Sequence, residues 1–123
     1  MVVLLLGTVA CASDIAVVDS IDPAAAAAIL ADDPGAVLVD IRTPDEFAEA
    51  RIEGAVNIDY YAPDFATRLA GLDRAATYVI YCHSGNRSTA ALEIFRDLGF
   101  DSVHAVAGGI QAWEASGLAV ERG

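Results

Sequence analysis

Apolar and polar positions fall along the chain in blocks that read alternately as strand and helix. Ile15-Ala16-Val17-Val18 is a short apolar run and predicts a first strand. Asp22-Pro23 then opens a helix, with an acceptor side chain at the N-cap and proline at the first helical position, where its missing N–H costs nothing. Ala24 to Ala28 is low in complexity, but alanine is the best helix former, and Ile29 and Leu30 supply a packing face. Asp32-Asp33-Pro34-Gly35 ends that helix. Val37-Leu38-Val39 is continuously apolar, as in a strand buried on both faces. Thr43-Pro44-Asp45-Glu46 has capping-box spacing and starts a short helix that ends near Ala50.

Gly54 to Ile58 predicts a third strand, and Tyr60 to Leu72 a loop with a short helix carrying Phe65 and Leu69. Tyr78-Val79-Ile80-Tyr81 is the clearest strand pattern, and it runs directly into Cys82. Beyond the loop, Ala91, Ile94, Phe95 and Leu98 form one helical stripe, with Gly99 as its stop. Val103 to Val106 is a last strand, and Gly108-Gly109 turns into a final helix with Ile110 and Trp113 on one face. This alternation predicts an α/β domain: a parallel sheet covered by helices on both faces. No internal repeat or linker interrupts it.

Composition narrows the functional classes. The 123 residues fit one domain, and 55% of them are hydrophobic, enough to form a core. Seven basic residues, all arginine, stand against 18 acidic ones, for a net charge of −11. Such a chain is a poor partner for nucleic acid or an anionic membrane surface. Cys11 and Cys82 are too few for a disulfide framework or a cysteine-based zinc site. No metal-ligand cluster, no glycine loop of the nucleotide-binding type and no Ser-His-Asp arrangement stands out, so neither metal nor cofactor is expected.

The first residues form a segment of their own. Val2 to Ala10 is an apolar run of signal-peptide length, followed by Ala10-Cys11-Ala12, a small-x-small cleavage pattern. Thr8-Val9-Ala10-Cys11 also resembles a bacterial lipobox, in which Cys11 would be lipidated. Thr8 is a weak match to that pattern, and no Arg or Lys precedes the run. Residues 1–12 are therefore read as an export or lipoprotein signal and 13–123 as the domain, placed outside the cytoplasm and touching a membrane only through a lipid anchor on Cys11. The alternative is an edge strand or a buried N-terminal segment.

Chemistry is expected outside the carboxyl ends of the strands, where open α/β sheets place their sites. Two polar clusters fall there: Asp40-Ile41-Arg42, and Cys82-His83-Ser84-Gly85-Asn86-Arg87-Ser88. Cys82 enters a loop that leads into a helix N-terminus, where first-turn amides are unpaired and the dipole is positive. Arg87 adds a fixed charge, and no acid lies between Cys82 and Arg87 to oppose it. Gly85 permits positive φ, so that several N–H groups converge on one anion. These features favour a reactive thiolate. The alternative is a buried, inert cysteine followed by an ordinary loop.

Four stretches together resemble one family. Val37-Leu38-Val39-Asp40-Ile41-Arg42-Thr43-Pro44-Asp45-Glu46-Phe47 and Ile52-Glu53-Gly54-Ala55-Val56-Asn57-Ile58 are similar to two signatures of rhodanese-like domains. Tyr81 to Ser88 resembles the family's active-site loop, and Gly108-Gly109-Ile110-Gln111-Ala112-Trp113 its closing motif. The resemblance implies a five-stranded parallel sheet flanked by helices. It also implies a single-domain sulfurtransferase that moves sulfane sulfur from thiosulfate or a persulfide donor to a thiol or cyanide acceptor. Cys82 would carry the sulfur as a persulfide, and the loop from His83 to Ser88 would bind the donor, with Arg87 against a sulfonate oxygen. Asp40 and Arg42 match a structural pair, read here as a salt-bridged support beside the loop.

Departures from the family pattern bear on the acceptor. Arg51-Ile52-Glu53-Gly54-Ala55 replaces a frequent His-x-Pro-Gly-Ala, and Asp59 stands where Pro is common. His83 holds a position that is often Arg; it either makes donor binding depend on pH or is an exposed loop residue without such a role. His104 and Trp113 are read as structural. Two other classes compete: a non-catalytic rhodanese-like binding module, and a phosphatase- or arsenate-reductase-like enzyme. The second carries Cys-x5-Arg, one residue longer than the spacing from Cys82 to Arg87. The oligomeric state is left open.

Overall fold

The computed structural model describes residues 15–123. The proposed signal and Cys11 lie outside the described residues. Five parallel strands form the main sheet, in the order β1-β6-β5-β2-β4: β1 is Val17–Ile21, β2 Val37–Asp40, β4 Val56–Asn57, β5 Thr77–Tyr81 and β6 Ser102–Val106. Four helices connect them, α1 Pro23–Asp32, α2 Pro44–Glu49, α3 Phe65–Ala70 and α4 Asn86–Asp97, and a fifth, α5 Gly109–Ala115, follows β6. A two-residue strand β3, Ala50–Arg51, pairs antiparallel with β7, Glu121–Arg122.

Side-chain alternation along β5 divides the core. Tyr78, Ile80 and Cys82 pack on one face with Phe65 and Leu69 of α3 and Ala91, Leu92 and Phe95 of α4. Val79 and Tyr81 pack on the other with Ala26 of α1 and Ile110 and Trp113 of α5. The period-2 pleat thus sends Cys82 toward α4, the helix that follows its own loop. Trp113 belongs to the core, 6% exposed, and its indole N–H donates to the Ala119 carbonyl at 3.0 Å.

The helix starts are as their sequences predict. The Asp22 carboxylate accepts from the Ala25 amide at 2.8 Å, with Pro23 at the first position. Thr43 and Glu46 form a reciprocal capping box at α2. The stripe on α4 includes buried Leu92 in addition to the expected residues, with Ile94 and Leu98 at its margin.

Two strand expectations are corrected, and one short strand pair is added. The first strand runs Val17–Ile21, not Ile15 to Val18, and Ile15 is 72% exposed. Pairing with β6 sets this register, Val17 opposite Ser102 and Ile21 opposite Val106. An edge strand carries polar residues such as Asp19 and Ser20 outward, so apolar content does not mark its limits. The Gly54 to Ile58 strand shrinks to Val56–Asn57, because Gly54 turns at φ 87° and only two residues pair with β2. The β3–β7 ribbon has no sequence signal, being two residues long on each side.

Candidate active site

β2 and β5 lie side by side, with Asp40 opposite Tyr81. The polar cluster after each strand therefore emerges at the same edge of the sheet. Asp40 and Arg42 form a buried ion pair there, the Arg42 guanidinium donating to Asp40 Oδ2 at 2.6 Å. The Arg42 amide also donates to Asp40 Oδ1 at 2.9 Å, and Nη2 donates to the Ala50 carbonyl at 2.5 Å. Among the described residues no buried side-chain N or O atom lacks a partner, which is what makes a buried pair tolerable. The Arg42 guanidinium lies 5.6 Å from the Tyr81 ring centroid, and the Tyr81 hydroxyl accepts from the Ile52 amide at 3.0 Å. Burial pushes the Tyr81 phenol pKa upward, so it stays a neutral spacer.

The loop after β5 closes on the sulfur of Cys82. The residue is 1% exposed. Its Sγ accepts from the Gly85 amide at 3.1 Å and the Ser88 amide at 3.4 Å. Gly85 is the N-cap of α4 and has no side chain to cap with. Cys82 Sγ does that work instead, sitting at the positive end of a 12-residue helix. The Ser88 hydroxyl lies 3.4 Å from Sγ and 3.3 Å from the Gly85 carbonyl. Beside a neutral thiol it can donate to the carbonyl; beside a thiolate it can turn and donate to sulfur, making a third donor. The amides of Ser84, Asn86 and Arg87 have no acceptor among the described residues.

Two glycines bring the last helix against this loop. The Ile110 amide donates to the Cys82 carbonyl at 2.9 Å and the Gln111 amide to the His83 carbonyl at 3.2 Å. Free amides at the start of α5 thus satisfy the loop's carbonyls. The approach needs Gly109: a Cβ there would stand 2.6 Å from the Cys82 oxygen and 2.5 Å from the His83 oxygen. This closing contact gives the Gly108-Gly109 motif its physical meaning.

Of the loop residues singled out in the sequence, Gly85 and Ser88 reach the sulfur, while His83, Ser84 and Asn86 are exposed. Arg87 does not stand free at the loop mouth. Its Nη1 and Nη2 donate to Glu46 Oε1 and Oε2 at 2.9 and 3.0 Å. Hydrogen bonding from Arg87 holds the Glu46 carboxyl down at a pKa of about 2. The exposed Tyr61 ring lies 5.5 Å from the guanidinium. The absence of an acid within the loop was therefore a misleading signal: the opposing acid comes from α2, 41 residues away. Sequence reasoning assigned Glu46 only to the capping box, and nothing local could have paired it with Arg87.

Beside the loop lies a cleft of about 250 Å³, lined in part by Glu46, Glu49, His83, Gln111, Glu114 and Arg122. Arg51, in the segment that departs from the family pattern, is spent on an ion pair with Glu121 at 3.4 Å.

Contrary to the sequence expectation, a hydrogen-bonded Ser-His-Asp row does exist. Ser102 Oγ lies 3.1 Å from His104 Nε2, and His104 Nδ1 lies 2.6 Å from Asp19 Oδ1. No local pattern discloses it, because Asp19 joins only through the β1–β6 register. The row lies toward the amino ends of the strands, beside a cleft that Asp32 and Asp33 also line at the carboxyl end of α1. Those carboxylates and the helix carbonyls oppose an oxyanion, so the row reads as a tie holding the edge strand.

Fold and loop together define an α/β domain whose buried cysteine caps the helix that follows it. The family model described as Rhodanese-like domain matches residues 22–116. The chain belongs to the rhodanese-like domain family. It is 39% identical over 82 residues to the thiosulfate sulfurtransferase GlpE of Pseudomonas putida, covering 67% of this chain and 73% of that one. A sulfurtransferase of Allochromatium vinosum is 35% identical over 103 residues, 84% of this chain and 94% of that one. Among solved structures, the rhodanese-related protein of Thermoplasma volcanium superposes with a TM-score of 0.70 at 31% identity, covering 84% and 97% of the two chains. Rv0390 of M. tuberculosis gives 0.74 at 25% identity, covering 85% and 98%.

Proposed function

We propose that the protein is a thiosulfate-type sulfurtransferase that works through a persulfide on Cys82. The observation that carries this reading is the convergence of the Gly85 and Ser88 amides on Sγ at the start of α4. Donors placed in advance around a sulfur stabilise its negative charge without reorganisation during reaction.

The Cys82 thiolate attacks the sulfane sulfur of the donor. A new S–S bond forms, the bond from that sulfur to the sulfonate sulfur breaks, and sulfite leaves with the electron pair. Cyanide or a thiolate then attacks the outer sulfur and forms thiocyanate or a new persulfide. The electron pair returns to Cys82. The unpaired amides of Ser84, Asn86 and Arg87 are available to the outer sulfur or the leaving group.

Burial of Cys82 supports the choice of sulfur as the atom attacked. At 1% exposure, the nucleophile is reached by a single protruding atom more readily than by a centre surrounded by oxygens. The short Cys-x4-Arg loop points the same way.

The test is thiocyanate formation from thiosulfate and cyanide by wild type and by Cys82→Ser. Transfer by the wild type, falling to background in the folded variant, supports the proposal. Equal transfer by both contradicts it.

A further inference from the structure

The loop's arginine is already occupied. Both terminal nitrogens of Arg87 are engaged by one carboxylate, and Tyr61 lies against its guanidinium. The carboxyl group of Glu46 remains ionised throughout the ordinary pH range, its pKa being held at about 2 by Arg87. The neighbouring cations are spent as well. Arg42 is paired with buried Asp40, and Arg122 with Glu114. Glu49, also on the cleft wall, has no ion-pair partner among the described residues. The whole chain carries −11. A donor arriving at Cys82 thus meets amides but no uncompensated arginine, in a negative long-range field.

We infer that Glu46 sets the charge class of the sulfur donor: by occupying Arg87 it disfavours small dianions and favours persulfides that arrive neutral or positively charged. This rests on the sulfurtransferase reading. Thiosulfate would be a usable but poor donor, and the better one would present its terminal sulfur beside a cationic group; the Cys82 thiolate takes that sulfur with its proton, the donor's S–S bond breaks, and the donor's own thiolate leaves with the electron pair. The role is separable from helix capping. Glu46 Oε1 also accepts from the Thr43 amide at 3.1 Å, and a glutamine can keep that bond, since Ser/Thr-x-x-Gln is itself a capping box. Glu46→Gln therefore removes the charge while keeping the start of α2.

The experiment compares two donors with cyanide as acceptor, after subtraction of the uncatalysed rate: thiosulfate, a dianion, and cysteamine persulfide, which carries an ammonium group. In Glu46→Gln, kcat/KM for thiosulfate should rise about tenfold, chiefly through KM, as one charge-assisted hydrogen bond becomes available. The value for cysteamine persulfide should fall or hold. In Glu46→Gln/Arg87→Met the thiosulfate gain should vanish. An unchanged or lowered thiosulfate kcat/KM in folded Glu46→Gln would overturn the inference and make Glu46 a positioning residue for the loop.

A second measurement needs no variant. In wild type, added salt should raise kcat/KM for thiosulfate, because screening weakens the repulsion of a dianion, and should change it little for cysteamine persulfide, whose ammonium group is balanced by its ionised persulfide near neutral pH. A fall, or no dependence, for thiosulfate would overturn the inference even if Glu46→Gln failed to fold. Failure of the sulfurtransferase reading looks different: neither donor would then yield thiocyanate above the uncatalysed rate.

Discussion

Gly109 lies against the carbonyl of Cys82 so closely that a methyl group at position 109 would stand 2.6 Å from that oxygen. The glycine also holds φ at 63°, in the left-handed region. The start of α5 and the cysteine loop are therefore fitted to each other, and the geometry around the sulfur depends on a helix more than 20 residues downstream.

Gly109→Ala should accordingly damage both stability and transfer. Overpacking against two carbonyls typically costs 1–3 kcal/mol, and positive φ adds about 1. A loss of about 2–4 kcal/mol in denaturant unfolding, with a fall in kcat larger than any change in KM, is the expected outcome. A variant of wild-type stability would mean that the loop and α5 yield freely.

The Asp40–Arg42 pair should behave as a structural support. Both residues are buried, at 0% and 4% exposure, so removing one charge strands the other. Arg42→Met should cost about 3–5 kcal/mol. Where the variant remains folded, alkylation of Cys82 should persist. Full stability with loss of alkylation would assign Arg42 to the chemistry instead.

Glu46 should make stability depend on pH in acid. Its carboxyl pKa is lowered in the folded chain from 4.5 to about 2, chiefly by Arg87. A lowered folded pKa stabilises the native state above the unfolded value and loses that contribution as pH falls through the folded value. The contribution is thus complete above about pH 4.5 and gone below about pH 2. Glu46 is partly exposed, and solvent screening reduces its worth to about 1 kcal/mol. Unfolding curves of wild type and Glu46→Gln should be separated at neutral pH and converge as pH drops across that window. A constant separation would mean that the pair is not the cause.

Those residues also show what the sequence could and could not disclose. Strands β2 and β5 are nearly continuous apolar runs, β6 alternates polar and apolar positions, and both capped helices carry their start signals within four residues, so these were legible. The place of Cys82, between a buried strand and the start of a helix, was legible. The partner of Arg87 was not: Glu46 lies on another element, and only the adjacency of β2 and β5 brings the two together. The same holds for Asp19 and His104, joined across strands 85 residues apart. Local patterns fix elements; pairings across the sheet follow from topology that no short window contains.

Loop size should separate attack on sulfur from attack on phosphorus. The Gly85 and Ser88 amides already lie 3.1 and 3.4 Å from Sγ, a tight ring for a tetrahedral oxyanion. Aryl-phosphate hydrolysis by a preparation active in thiosulfate:cyanide transfer should be negligible. Efficient hydrolysis dependent on Cys82 would overturn the loop-size argument.

Residues 1–12 supply a prediction from composition alone. If Val2 to Ala10 directs export, the mature chain in its native host should begin near Cys11 or Ser13 and lie outside the cytoplasm. An acyl group on Cys11 would mark the lipoprotein route. Recovery of the uncleaved chain from the cytoplasm would contradict both.

The central claim, a sulfur carried covalently on Cys82, is tested most directly by the intact mass of the protein after exposure to thiosulfate. The account predicts a gain equal to one sulfur atom, removed by cyanide with release of thiocyanate and absent from Cys82→Ser. A wild-type mass that never changes while thiocyanate still accumulates, or a gain that persists in Cys82→Ser, would contradict it.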